Sequence, residues 1–380
     1  MTSGSRYLSA VAAIALTGAV SANPHASAQS SPAPPSGRPL MVEDVFTNVQ
    51  ALKGIGVDDF MLTMGIMSAA VGSDCVGCHP SAGTDHVDWA LDTPRKRTAR
   101  RMVQMVTAIN RDTFNGRQVV TCWTCHRGRD RPITTPTLDV VYGPPADEVD
   151  DVLVPAQGVP SVDQVLNKYL QALGGADRVA KFTSFSATGT YEGFDTGMKK
   201  VPVELYAKSP AQQTMVVHLS IGQSTRAFDG RNGWMAGPDT PLPLLTLTEG
   251  NLDRARLEAL VAFPTGLRQA FPRWRVGRTA IGDKEVRIVQ GVGAAQALAN
   301  FYFDDSGLLV RLVRWTRTPV GFVPTQIDYS NYRDVNGVKV PFTRTVSQTY
   351  MQMTVELANV QANSSIDDAR FAQPAPFQQR

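Results

Sequence analysis

The chain has 380 residues, of which 43% are hydrophobic and 19% charged, with a formal net charge of +3. That balance supports ordinary globular cores and leaves room for two domains, while so small a charge gives no footprint for nucleic acid. Four cysteines and five histidines are present, few enough that the place of each restricts the chemistry.

Residues 1–28 read as a secretory signal peptide. Arg6 precedes an apolar run over 7–20, and Ala26-Ser27-Ala28 before Gln29 is a small-residue cleavage pattern. The run is too short for a membrane span, and the segment has no cysteine to carry a lipid. No later stretch approaches the length of a transmembrane helix. The expected location of the mature chain is the periplasm. Residues 29–40 are rich in Ser and Pro and form a flexible leader.

Residues 41–131 hold all four cysteines, in Cys75-Val76-Gly77-Cys78-His79 and Cys122-Trp123-Thr124-Cys125-His126. Each C-x-x-C-H motif reads as a covalent haem c attachment site, with His79 and His126 as proximal iron ligands. A four-cysteine zinc site would not require a histidine after both pairs, and a thioredoxin-like redox pair would require one motif. Export agrees with haem c, which is attached outside the cytoplasm.

A helix precedes each motif. The first opens on Asp58-Asp59, carries Met61, Met64 and Met67, and ends near Gly72. The second opens on Thr93 as N-cap and Pro94 as first helical residue, carries Met102 and Met105, and runs to about Asn110. A methionine on either helix can reach the haem face opposite the histidine. Met61, Met64 and Met67 are also a common core stripe, as are Met102 and Met105, so spacing alone selects no ligand. Arg95, Lys96, Arg97, Arg100 and Arg101, with Arg127, Arg129 and Arg131, are either a solvated surface or partners of haem propionates. His86 reads as a surface residue, and Trp123 as packing at a haem edge.

Residues 132–160 form a proline-rich acidic linker. Over 161–380 the pattern becomes β-rich. One helix over 161–173 ends at Gly174-Gly175. Strands are expected over 183–192, 201–207, 213–219, 225–228, 233–236, 274–281, 284–291, 300–304, 308–316, 325–332, 338–341 and 343–357. A helix interrupts them over 252–259. Asn232-Gly233 and Asn336-Gly337 supply hairpin turns. No Ser/His/Asp set or phosphate loop is present, and His218 stands alone on a strand.

Thr63-Met64, the step from Met64 to Cys75, Ala99-Arg100-Arg101-Met102, Ala108-Ile109-Asn110 and the run 121–128 resemble the cytochrome subunit of photosynthetic reaction centres, over about residues 42–132. The resemblance implies Met64 as distal ligand of the haem on Cys75 and Cys78. It implies Met102 as distal ligand of the haem on Cys122 and Cys125, with Met105 the alternative. The chain departs from that family in having two haem motifs rather than four, no lipid-bearing cysteine, and no histidine between Arg111 and Thr121. A photosynthetic reaction centre is therefore not carried over as partner. More loosely, Phe228-Asp229-Gly230-Arg231-Asn232-Gly233-Trp234, the run 303–309 and the run 332–341 resemble the periplasmic lipoprotein-carrier fold. That likeness implies an open β half-barrel closed by helices, with an apolar concave side.

The fold expected is a mainly α-helical dihaem domain followed by an α+β domain with an antiparallel half-barrel. The function expected is electron transfer between redox partner proteins through two His/Met-ligated haems c, not enzymatic catalysis. The C-terminal region would dock a partner or the envelope, or bind a hydrophobic ligand. Two other readings follow from the same residues: a haem redox enzyme or sensor with one open site, and a hydrophobic-cargo carrier with a redox module.

Overall fold

A single antiparallel sheet of thirteen strands dominates the chain. The computed structural model describes residues 39–84, 86–132, 134–135, 141, 158–293 and 298–378. The signal peptide, most of the leader and most of the linker expected from the sequence lie outside the described residues.

The strands are β1 (Ser184–Gly193), β2 (Val201–Lys208), β3 (Gln212–Leu219), β4 (Gly222–Phe228), β5 (Gly233–Ala236), β6 (Leu245–Thr246), β7 (Arg273–Ile281), β8 (Lys284–Val292), β9 (Leu298–Phe303), β10 (Leu309–Thr318), β11 (Gly321–Val335), β12 (Val338–Gln348) and β13 (Gln352–Ala362). Their order is β6-β5-β4-β3-β2-β1-β13-β12-β11-β10-β9-β8-β7. Sequence neighbours pair throughout except β6 and β7, which form the two edges, and β1 pairs with β13 to join the two halves. At that seam Phe185 lies opposite Ala362, and the register shifts between Thr188 and Gly189. A Cβ on Gly189 would lie 2.1 Å from the Glu356 carbonyl oxygen, so the close strand approach requires glycine.

The expected strand over 343–357 is two strands, the ends of β12 and the start of β13. The reversal at 349–351 contains no Gly, Pro, Asn or Asp, so turn chemistry did not mark it. β11 is longer than expected because residues 321–324 continue its alternation, with Gly321, Val323, Thr325, Ile327 and Tyr329 buried in turn.

Helices cover one face of the sheet. Helix α5 (Val162–Leu173) starts at a Ser161–Gln164 capping box and stops at Gly174. It buries Val165, Leu166, Tyr169 and Leu173, the spacing of one helical face. With α6 (Ala176–Lys181) and α7 (Glu249–Ala262) it packs on Phe301, Phe303, Leu312, Ile327 and Val355.

The segment bearing the haem motifs comprises α1 (Val42–Val45), α2 (Val57–Val71), a 3-10 turn (Cys75–Gly77), α3 (Pro94–Phe114) and α4 (Cys122–His126). Thr93 caps α3 by accepting from the Lys96 N–H at 3.2 Å, and Gly72 ends α2 in the left-handed conformation. Leu62 and Ile66 of α2 and Val103 of α3 share a small core with Val320 and Val323, from the β10–β11 hairpin. That hairpin also takes hydrogen bonds from the segment, Cys122 N–H to the Val320 carbonyl at 3.0 Å and Gln118 Nε2 to the Thr318 carbonyl at 2.8 Å. Residues 39–380 are accordingly one compact unit.

Candidate functional site

Helix α2 has two faces. Leu62, Thr63, Ile66 and Ala70 are buried toward the sheet. At about 100° per residue, Met61 and Met64 fall on the opposite side, where Met61 is 40% exposed and Met64 half-buried. Met67 packs instead against the small core that α2 shares with the hairpin. On α3 the buried stripe is Lys96, Val103, Val106 and Asn110. Met102 lies half-buried beside that stripe and Met105 is 43% exposed. Three methionines that spacing leaves equivalent thus have different surroundings on α2, and two on α3.

The first motif is held by its backbone. Asp74 accepts from the Gly77 N–H, Thr93 Oγ1 donates to the Cys78 carbonyl at 3.2 Å, and Arg95 donates to the Gly77 carbonyl at 3.3 Å. The His79 ring is half-buried, 5.0 Å from the Trp89 ring between centroids. Burial, with the Lys96 cation adding to it, holds the imidazole below its ordinary pKa, which favours the neutral form. His79 Nδ1 is buried and has no hydrogen-bond partner among the described residues. Lys96 organises the loop that brings Trp89 there, donating to the carbonyls of Trp89 at 2.7 Å and Leu91 at 2.8 Å.

The second motif begins at a reciprocal cap. Thr124 N–H donates to Thr121 Oγ1 at 3.2 Å, and Thr121 N–H to Thr124 Oγ1 at 3.1 Å. Asn110 clamps the approach to Cys122. Its Oδ1 accepts from the N–H groups of Val119 and Val120, both at 2.9 Å, and its Nδ2 donates to the Val120 carbonyl at 2.7 Å. His126 Nδ1 donates to the Arg129 carbonyl at 2.9 Å. A carbonyl only accepts, so Nδ1 carries a proton, and in the neutral tautomer compatible with this bond the lone pair is on Nε2. The motif closes on α2, where Gly128 N–H donates to the Ala70 carbonyl at 2.9 Å.

None of the four cysteines is in a disulfide; Cys75 and Cys125 are exposed and Cys78 and Cys122 half-buried. Burial pushes the Cys78 and Cys122 thiols upward in pKa. Among the described residues no three His, Cys, Asp or Glu side chains gather as a metal-ion site. Apolar surface is open near both motifs, with Trp89 51% and Trp123 49% exposed.

Much of the basic run is used within the protein. Arg95 pairs with Asp130 at 2.7 Å, while Arg97 and Arg100 both pair with Asp92. His86 is exposed. His218 Nε2 lies 2.9 Å from Glu204 on the neighbouring strand. Composition reads Asp58 and Asp59 as first-turn acids. The fold instead buries them against the loop before α7, where Thr248 donates to Asp58 through N–H at 2.6 Å and Oγ1 at 2.5 Å. Only paired exposure to residues 190 positions away marks that role, and local sequence carries no signal for it.

A second feature lies in the β region. Between the sheet and its helices is a cavity of ≈100 Å³ lined by Tyr169, Phe182, Phe185, Leu205, Val355 and Leu357, among others.

The resemblance read from the haem motifs reappears in comparisons with known proteins. Over its first part the chain is similar to a family of cytochromes: the family model for the photosynthetic reaction centre cytochrome C subunit matches residues 6–143. Two relatives are photosynthetic reaction center cytochrome c subunits. That of Roseobacter denitrificans is 33% identical over 106 residues, 26% of this chain and 28% of that protein. That of Thermochromatium tepidum is 37% identical over 109 residues, 27% of this chain and 26% of that protein. The chain thus matches only about a quarter of the length of these relatives. Among solved structures, a LolA superfamily protein from Nitrosomonas europaea aligns with a TM-score of 0.39 at 11% identity, over 56% of this chain and 98% of that one. A domain from Vibrio parahaemolyticus described as outer membrane lipoprotein-sorting aligns with a TM-score of 0.36 at 8% identity, over 54% and 97%. No helix among the described residues is long and apolar enough to cross a membrane.

Proposed function

We propose that the chain is a periplasmic dihaem c-type cytochrome that transfers electrons between partner proteins. Cys75 and Cys78 hold one haem c, with His79 and Met64 as iron ligands. Cys122 and Cys125 hold the other, with His126 and Met102, and Met105 as the alternative to Met102. The observation that carries this reading is common to both motifs. Each C-x-x-C-H segment is pinned through its backbone at the surface, none of its cysteines is tied up in a disulfide, and a methionine-bearing helix precedes it in the chain. The similarity of residues 6–143 to reaction centre cytochromes supports haem-based electron transfer.

The residues fit haem c. The bond from His126 Nδ1 to the Arg129 carbonyl leaves Nε2 as the ring nitrogen available to iron, and burial favours the neutral form of His79. Asn110, Thr121 and Thr124 fix the second loop, Thr93 and Arg95 the first, and Trp89 and Trp123 shield apolar edges from water. Haem c supplies a one-electron iron couple when bound, and thioether ligation raises its potential by favouring the ferrous state. With both axial positions taken, the reading is a carrier and not an enzyme. The β region serves to dock a partner or the envelope, or to bind a hydrophobic ligand. The ≈100 Å³ apolar cavity favours the ligand role, and with it the reading of a cargo carrier with a redox module.

The test is haem stoichiometry and spin state on the exported protein. Two haems per chain and two low-spin signals are expected. Met64→Ala and Met102→Ala should each turn one haem high-spin. A response to Met105→Ala in place of Met102→Ala moves the second distal ligand. Carbon monoxide binding to the reduced wild type would show an open haem, favour the redox enzyme or sensor, and overturn His/Met ligation at that site. Mass spectrometry of co-purified lipid tests the cargo reading.

A further inference from the structure

Beneath α7, the strands β3, β4 and β12 enclose a second, smaller cavity of ≈30 Å³. Three guanidinium groups, of Arg226, Arg254 and Arg344, line it with a single carboxylate, Glu258. Arg254 Nε donates to Glu258 at 2.6 Å, and the Arg254 side chain is only 4% exposed. Burial alone would raise the Glu258 pKa, but the three cations override it and hold the carboxyl at about 2, so it is ionised. Three positive charges less one negative charge leave two uncompensated around the cavity.

The hydrogen bonding is also incomplete. Arg226 and Arg344 each direct an Nη2 at a methionine sulfur, at 3.5 Å to Met235 and 3.4 Å to Met215. A thioether is a weak acceptor and brings no charge. Arg226 Nε, Arg254 Nη2 and Arg344 Nε are buried and have no partner among the described residues. Orphaned donors on buried cations are costly. Water would satisfy the donors without offsetting the charge.

We propose that this cavity binds a carboxylate. Its two oxygens offer about four lone-pair directions, enough for the three free donors, and its planar fork matches guanidinium geometry. A small monoanion suits the volume and offsets one of the two charges left over. The chain of the ligand also has a place to go, because Gln213, Glu258 and Arg344 line both this cavity and the ≈100 Å³ apolar one. The carboxylate is therefore either that of a small free acid or the head of an acyl chain lying in the apolar cavity. The inference rests on the β region being a ligand-binding domain and is independent of the haem chemistry.

Titration calorimetry of the full haem-loaded chain with decanoate, decanol and acetate tests it. Wild type should bind decanoate about tenfold or more tighter than decanol, the scale of a charge-assisted hydrogen bond. Arg226→Gln and Arg344→Gln, each verified as folded by circular dichroism, should weaken decanoate by a similar factor and leave decanol unchanged. Acetate binding that is lost in the same variants supports the site and assigns it to small free acids. Equal affinities for decanoate and decanol, unmoved by either variant, would overturn the carboxylate site while leaving the apolar cavity as a ligand site. Failure of wild type to bind either acid overturns it too, with decanol then reporting on the cavity alone. The wild-type comparison decides even where a variant does not fold.

Discussion

Asp59→Asn is expected to stabilise the protein above neutral pH and to flatten its pH dependence. Asp58 and Asp59 are adjacent buried carboxyls at the contact between α2 and the loop before α7. The Thr248 hydroxyl lies 2.5 Å from Asp58 Oδ1 and 3.1 Å from Asp59 Oδ2, yet has one proton to give. A protonated Asp59 can donate to Thr248 Oγ1 while Thr248 donates to Asp58. Burial, then the neighbouring Asp58 charge, push the Asp59 carboxyl from 3.8 to about 7. The folded state therefore holds a proton that the unfolded chain releases across that window. Stability is unpenalised below about pH 4, falls as pH rises toward 7, and is flat beyond. At about 1.4 kcal/mol per pH unit the whole window is worth at most about 4 kcal/mol. Partial contact with water brings the expected span to about 1–3 kcal/mol. Urea denaturation of both proteins at pH 5, 6, 7 and 8 measures it. The difference between variant and wild type should grow with pH and favour Asn. A difference that is constant from pH 5 to pH 8 would refute the shared-proton arrangement.

Asn110→Ala removes three part-buried hydrogen bonds and orphans the Val120 N–H, while the Val119 N–H keeps the Arg117 carbonyl at 3.0 Å, so a loss of about 1–3 kcal/mol is expected in chemical denaturation. Its effect on the haem spectrum should fall on the second motif alone. Gly72→Ala places a Cβ 2.2 Å from the Gly128 carbonyl oxygen at a φ of +61°, where neither backbone can yield cheaply. It should cost about 1–3 kcal/mol or more and lower the thermal midpoint. Arg95→Ala removes an exposed pair with Asp130 and an exposed 3.3 Å bond to the Gly77 carbonyl, both screened by water, and should change stability by less than about 1 kcal/mol in chemical denaturation.

Helix ends and most strands are set by local sequence. Thr93-Pro94, Gly72, Ser161 with Gln164, and Gly174 mark helix ends because capping is a property of a few consecutive residues. Alternation and the Asn-Gly turns place most strands for the same reason. The β12–β13 reversal was missed because Thr349-Tyr350-Met351 lacks turn chemistry, and β6 and α6 because two and six residues hold too little pattern. The C-x-x-C-H motifs fix the expected attachment chemistry because it needs only neighbours in sequence.

Tertiary packing decided the rest. Met64 and Met67 lie three apart on one helix, and only the hairpin seated against α2 gives them different environments. Asp58 meets Thr248 across 190 residues, and Arg226, Arg254 and Arg344 converge from two strands and a helix. Periodicity describes how a residue relates to its own element. Which charges end up facing one another depends on how elements stack, and here that stacking makes the haem-motif helix part of the wall of a sheet it precedes by more than a hundred residues.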